Sequence, residues 1–303
     1  MRLSEIINTT RREYLDNTKP KYLWSDTYLA QCASQAQNEA ARRAKLLFDK
    51  TTVTDDDIAS GTATATTASK LIDSGAVFVS ADVVGKTVYN LTDNTFATVS
   101  AFVSATELTL SSDIMTSSES YAIGDPSKAL TRVNVVSGTA TYLLSRKILK
   151  IENPYLASVG IPLIQKTEGW LDSNYYQWRL AEGTPQYYVE DKGTITLVPR
   201  PDVTLNSGAG KDTLLLSVYR LPLKDLSLSL NNSPEIPEEY HLQLIDWICH
   251  LAYLKQDSET EDVGKSSYYA NKFAVNFGNQ LSALVENNMR LMPSIFKLGA
   301  AKW

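Results

Sequence analysis

Between residues 51 and 124 the chain changes its chemistry, and no single continuous core accommodates such a change. Ser and Thr supply 25 of these 74 residues, all five tryptophans and 14 of the 16 tyrosines lie elsewhere, and two Lys stand against nine Asp or Glu. The stretch carries −7 of a total charge of −5, which leaves the rest of the 303 residues at about +2. Its local pattern is short and β-like: "TATATTASKLID", "AVFVSAD", "KTVYNL", "FATVSAFVSA", "TELTLSSD" and "SYAIGD" are rich in Thr, Val, Ile, Phe or Tyr and are separated by Gly, Asn, Asp or Ser. This spacing predicts six short strands, with a hairpin turning at Thr92–Asn94 and "GTATATTASK" as the entry strand. Six strands suffice for a small barrel or sandwich, and the alternation of apolar residues argues against disorder. The segment 51–126 is therefore expected as an inserted all-β module, and the remainder, 1–50 with 127–303, as a discontinuous core.

The flanks read as helices. Leu3, Ile6, Ile7 and Leu15 mark a short amphipathic helix. In "WSDTYLAQCASQAQNEAARRAKLLFD" (24–49), Ser25 is an N-cap, with Trp24 and Leu29 as a hydrophobic staple. Leu29, Ala33, Ala36, Ala40, Ala44 and Leu47 form one stripe, and its alanines predict close packing against a partner helix. Arg42, Arg43 and Lys45 gather at its C-terminal end, where the helix dipole favours cations. At the far end, "PEIPEEYHLQLIDWICHLAYLKQD" (234–257) begins with Pro237 and two glutamates. Tyr269, Phe273, Phe277, Leu281 and Leu284 mark a second helix over 258–292. Together these predict an antiparallel helical hairpin. In between, "RKILKIENPYL", the hairpin "GTPQYYVEDKGTITLVPRP" around Glu190–Gly193, and "DTLLLSVYRLPL" read as one antiparallel β unit. The expected fold class is α+β: a helical bundle of the long N-terminal helix and the C-terminal hairpin, an antiparallel β unit, and the inserted β module.

Catalytic patterns are not found. The two cysteines, Cys32 and Cys249, read as buried thiols in helices. His241 and His250 are nine residues apart, on nearly opposite faces of a helix, and read as structural. "LNSGAGKDT" (205–213) has Leu205 where a phosphate loop needs its first Gly, and Asp212 where it needs Ser or Thr; it precedes a strand, so it reads as a surface loop. The acidic runs at 54–60 and 257–262 lack the spacing of a calcium loop. No enzyme, cofactor or metal is expected. The mild net charge argues against a general nucleic-acid coat or a polybasic membrane binder. The start lacks a signal-peptide apolar region, no apolar run approaches the roughly 18 residues of a membrane span, and synthesis in the cytoplasm is expected.

Four stretches carry a resemblance; one of them, the β-like segment from "GTAT" to "YAIG" (61–124), is similar to a small β module inserted in phage virion proteins. "LWSDTYLAQCASQAQNEAARRAKLL" resembles the first long helix of phage head-to-tail adaptor (connector, head completion) proteins. "IPEEYHLQLIDWICHLAYLKQDSETEDVGKSSYYANKF" is similar to that family's late helical hairpin, and "TPQYYVEDKGTITLVPRP" to its β-hairpin. The resemblance implies a structural virion protein at the head-tail junction of a tailed bacteriophage, a homododecameric ring below the portal. Such a ring extends the channel for DNA ejection and docks tail, nozzle or fibre proteins, with genomic DNA passing without sequence specificity and no membrane involved. The apolar tail, with Ile295, Phe296, Leu298 and Trp303, is expected to contact the portal or a neighbouring subunit, and Arg42, Arg43 and Lys45 are candidates to face the channel. The alternative reading is a tail or baseplate adhesion module whose β insert attaches a fibre.

Overall fold

The computed structural model describes residues 1–15, 22–56, 58–191, 193–256, 260–279, 282 and 285. In chain order the elements are α1 (Leu3–Glu13), α2 (Asp26–Ala44), β1 (Leu47–Asp49), β2 (Ala59–Thr62), β3 (Lys70–Ile72), α3 (Ser80–Val83), β4 (Thr87–Asn90), β5 (Thr95–Ser104), β6 (Glu107–Leu110) and β7 (Ser120–Gly124). There follow β8 (Arg132–Val136), β9 (Thr141–Leu143), β10 (Ile148–Leu156), β11 (Ile164–Gln165), α4 (Glu168–Asn174), β12 (Tyr187–Asp191), β13 (Thr194–Val198), the single turn α5 (Leu205–Gly208), β14 (Lys211–Arg220), α6 (Leu244–Tyr253) and α7 (Val263–Phe277).

The expected fold class does not hold. Among the described residues there are seven helices, none longer than the 19 residues of α2, and fourteen strands in three sheets. This is not a helical bundle with a long N-terminal helix. The helical pattern of 24–49 stops early because Lys45 turns left-handed (φ 50°), and Leu47, counted in the stripe, sits in β1. The central β unit is two sheets, β1-β14-β10 with β8 also on β14, and β11-β12-β13-β9. Its registered pairs are antiparallel except β11 with β12.

The chain divides into two compact units, and the boundaries fall inside β1 and β14. The first comprises Met1–Phe48 and the chain from Tyr219 through α7. The buried stripe of α2, with Leu29, Ala33, Ala36 and Ala40 inaccessible to solvent, packs on Leu244, Ile245, Ile248 and Cys249 of α6 in one core. In α7 the order of contacts is reversed relative to α6. Asp262 N–H donates to Tyr253 O, Ser266 meets His250, and Lys272 pairs with Asp246, so the two helices are antiparallel, as the sequence predicts. Both cysteines are buried, and burial pushes the Cys32 thiol up to about 11.

The second unit covers Asp49–Val218. Its largest sheet has the order β2-β7-β4-β5-β6-β3. The extension of β2 meets β3, where Thr64 N–H donates to Ile72 O (2.8 Å) and Ala65 bridges Ile72, so the strands close on themselves. Leu71, Val88, Ala97, Val99, Leu108, Tyr121 and Ile123 fill the interior. Six strands are present, but "AVFVSAD" is not among them: it leads into the turn α3, and the first long segment is split between β2 and β3. The turn at Thr92–Asn94 stands as predicted, with Asn90 Oδ1 accepting from Thr92 and Asp93 N–H and Asn94 at φ 58°. On the opposite face, Tyr89 and Ala122 pack against Val53.

Two predictions test how this unit is closed. A Cβ at Gly124, the last residue of β7, would sit 2.1 Å from Thr54 Oγ1 and 2.7 Å from its methyl. Gly124→Ala therefore destabilises by about 1–3 kcal/mol through overpacking, read from denaturant midpoints. Asp125 accepts from Lys86 Nζ (2.7 Å) and from Ser127, and these bonds hold its carboxyl well below the usual carboxylate range. A folded pKa below the unfolded value of about 3.9 contributes stability that is complete above that pH and is lost as pH falls toward the folded value. Asp125→Asn removes this component, so the loss of stability between about pH 5 and pH 2 is shallower than in the parent.

Candidate interaction surfaces

The residues singled out by sequence fall in two places. Ile295, Phe296, Leu298 and Trp303 lie outside the described residues. The basic group is described, and its members differ. Arg42 and Arg43 both bond Glu39, at 2.8 Å and 2.6 Å. The Arg43 side chain is only 6% exposed. Its guanidinium lies 4.7 Å from the Trp247 ring centroid and 5.2 Å from that of Phe273, and Nη1 donates to the Gly278 carbonyl (3.1 Å) at the C-terminus of α7. A planar cation here both stacks on aromatic faces and satisfies a helix-end carbonyl. Arg42 is half-buried, and Lys45, the left-handed C-cap of α2, is exposed.

The histidines take structural positions, as expected. His241 is buried with Nε2 2.9 Å from Ile236 O, and His250 Nδ1 lies 2.9 Å from Ser266 Oγ, its pKa lowered mainly by burial. "LNSGAGKDT" is a turn with Asn206 and Ser207 left-handed, leading straight into β14.

Sequence reasoning does not identify 159–180 as a surface, although its strand-like start and the short helix beginning at Thr167 lie where the pattern puts them. Ile161, Ile164, Tyr176 and Leu180 are all exposed, Tyr176 at 87% and Leu180 at 73%. The segment is nevertheless well anchored. Leu171 and Trp178 insert into a small core with Val189 and Val198. Thr167 caps α4 by accepting from Trp170 N–H (3.2 Å). Asp172 accepts from Trp178 Nε1 (2.8 Å) and from Arg179 Nη1, and the Arg179 bond, ahead of the Trp178 bond, lowers its pKa. Lys166 Nζ sits 3.9 Å above the Trp170 ring, and Arg179 4.2 Å over Trp178. A pre-ordered surface of aromatic and aliphatic side chains among stacked cations is a composition typical of protein-binding hot spots. The available signal was the density of apolar residues in "IPLIQKTEGWLDSNYYQWRL", which exceeds what one two-residue strand and a two-turn helix can bury.

The chain matches the family model for the SU10 adaptor protein over residues 66–293, well over half its length. The chain belongs to the SU10 adaptor protein family. Membership makes it a bacteriophage structural adaptor, a component of the virion that meets other virion proteins. A comparison with curated proteins finds no match. The adaptor's matched region takes in the closed six-stranded sheet from the loop after β2 onward, the exposed 159–180 segment and the α6–α7 pair. Among the described residues, no helix of the adaptor is long and apolar enough to cross a membrane.

The contrast between Arg43 and Lys45 gives a prediction. Arg43→Ala removes the guanidinium stacked on Trp247 and Phe273 and its bonds to the Gly278 carbonyl and to Glu39, which keeps Arg42, and costs about 1–2 kcal/mol. Lys45→Gly relieves the left-handed backbone and stabilises by up to about 1 kcal/mol. Chemical denaturation of the two variants beside the parent separates the two roles.

Proposed function

We propose that the adaptor forms a ring between the portal and the tail of a tailed bacteriophage, of twelve copies by the family resemblance, extending the DNA channel and docking tail proteins. The family match over 66–293 carries this reading. The anchored apolar surface of 159–180 supports it, because a scaffold needs a rigid surface that another virion protein can cover. In this reading the tail with Ile295, Phe296, Leu298 and Trp303 reaches the portal or a neighbouring subunit. Arg42 and Lys45 contribute sequence-independent attraction to passing DNA, while Arg43 serves the helix packing.

Co-sedimentation of the adaptor with its portal tests the reading. The parent chain is expected to travel with the portal. A Tyr176→Ser/Leu180→Ser variant keeps its unfolding midpoint, since both side chains are already in water, and loses portal or tail binding at least tenfold, or about 1.4 kcal/mol. A parent chain that ignores both portal and tail proteins overturns the function. A variant that binds both as the parent does removes this surface from it.

A further inference from the structure

The acidic module of 51–126 carries aliphatic side chains that its own fold leaves in water. Val77, Val79, Val84 and Val103 are all exposed, Val77 at 83%. They fall along one stretch of the module. Phe78, between Val77 and Val79, turns into the core, and its N–H donates to Ala105 O (2.8 Å) in the turn after β5. At the far end of the same run, Gly85 N–H donates to Val99 O (3.0 Å) in β5. The backbone over 77–85 is thus tied to that over 99–105, and Val103 lies within this span. The module has no Trp, and its two tyrosines, Tyr89 and Tyr121, are buried. This face therefore offers aliphatic contact to a peptide, not an aromatic platform to a sugar.

The face is also acidic. Asp82 stands in α3 between Val79 and Val84, exposed and with no ion-pair partner among the described residues. Elsewhere in the module, Asp73 accepts from the Tyr121 hydroxyl and Asp113 from Ser69 N–H, bonds that hold a carboxylate without cancelling its charge. Most of the net −7 of residues 51–124 stays open to a cationic partner. One segment of the same chain has the matching chemistry. Residues 286–303, which lie outside the described residues, hold Ile295, Phe296, Leu298 and Trp303 among Arg290, Lys297 and Lys302, with Glu286 as the one acid, a net +2. Fully extended, a segment of this length spans up to about 60 Å, enough to meet another copy.

We infer that residues 286–303 of one adaptor copy bind the valine face of the acidic module of the next. Phe296 and Leu298 cover Val77, Val79 and Val103, and Lys297 pairs with Asp82. The module is then the receiver of a neighbour's segment, which gives its acidity a purpose that no catalytic or metal site supplies. A contact between two different surfaces of the same chain is heterologous, and it repeats head to tail until the rotation closes. The inference rests on the ring reading and names two surfaces that join the subunits of the ring.

The test uses the full chain in sedimentation velocity, alone and with portal. Val77→Lys/Val103→Lys makes the receiving face cationic, and both positions are already in water, so this variant keeps its unfolding midpoint. Phe296→Ser/Leu298→Ser removes the apolar anchors of the segment. Each variant is expected to weaken self-association at least tenfold. An equimolar mixture of the two is expected to give dimers and nothing larger, because one intact face and one intact segment remain. Variants that assemble as the parent does overturn the inference and leave the ring reading standing; this is also the result if the segment folds onto its own module. Defective variants whose mixture stays monomeric overturn the pairing of this segment with this face. A parent chain that is monomeric both alone and with portal overturns the inference and the ring together.

Discussion

The close approach of α2 to α6 is the constraint on which the helical unit depends. Ala33, Ala36 and Ala40 have no solvent exposure, and each presents only a methyl group to the facing helix. Side chains this small bring the helix axes near enough for polar groups at the edges of the contact to engage. Trp24 Nε1 donates to Ala252 O (2.8 Å) and the Tyr28 hydroxyl to Leu251 O (3.0 Å), so the start of α2 adds side-chain donors to last-turn carbonyls of α6 that otherwise receive only the long backbone bonds from Leu254 and Lys255 (3.2 and 3.4 Å). Arg43, at the other end, does the same for α7 at Gly278. Enlarging any of these alanines would separate the helices and unmake the bonds together, which is why overpacking here would cost more than the added methylenes suggest. Once α2 is fixed, so is the segment around Leu226 held by Ser34 and Gln37.

The second unit is held by a different economy. Most of the described carboxylates of its acidic stretch make local contacts. Both of its lysines are paired within it, Lys70 with Glu107 and Lys86 with Asp125. Asp73 accepts from the buried Tyr121 hydroxyl (2.7 Å) and from Gly75 N–H (2.9 Å), and Glu119 accepts from Asn90 and Thr116. Short strands rich in Ser and Thr have little apolar area to bury, and turn caps of this kind fix strand ends that packing alone would leave loose.

Much of this was legible in the sequence because the signals were local. The Ser25 cap, the alanine stripe as far as Ala40, the 92–94 turn and the 187–198 hairpin all depend on residues within a few positions of one another, and each is in place, whereas Ala44, the next stripe position, is exposed. What failed depended on context. "AVFVSAD" has strand-forming residues, but Phe78 turns into the core and the chain then coils at Ser80–Val83. The pattern over 24–49 continues through Leu47, yet the backbone reverses hand at Lys45, which no periodicity reveals. The assignment of the central strands to two sheets is set by pairings across long sequence separations. Arg43 looked like a surface cation by its dipole position, and only the arrival of Trp247, Phe273 and Gly278 from 200 residues away makes it a packing residue. The exposed 159–180 surface was hidden for the opposite reason: its residues look like a core, and only the structure shows that part of them has nothing to pack against.

An adaptor of this family whose β unit leaves an anchored apolar surface is built to be covered by other proteins. Electron microscopy of the purified chain mixed with its portal tests this most directly. Closed rings with a central channel, of one subunit number and coaxial with the portal, are the predicted result. Isolated single copies beside unaltered portals would contradict it.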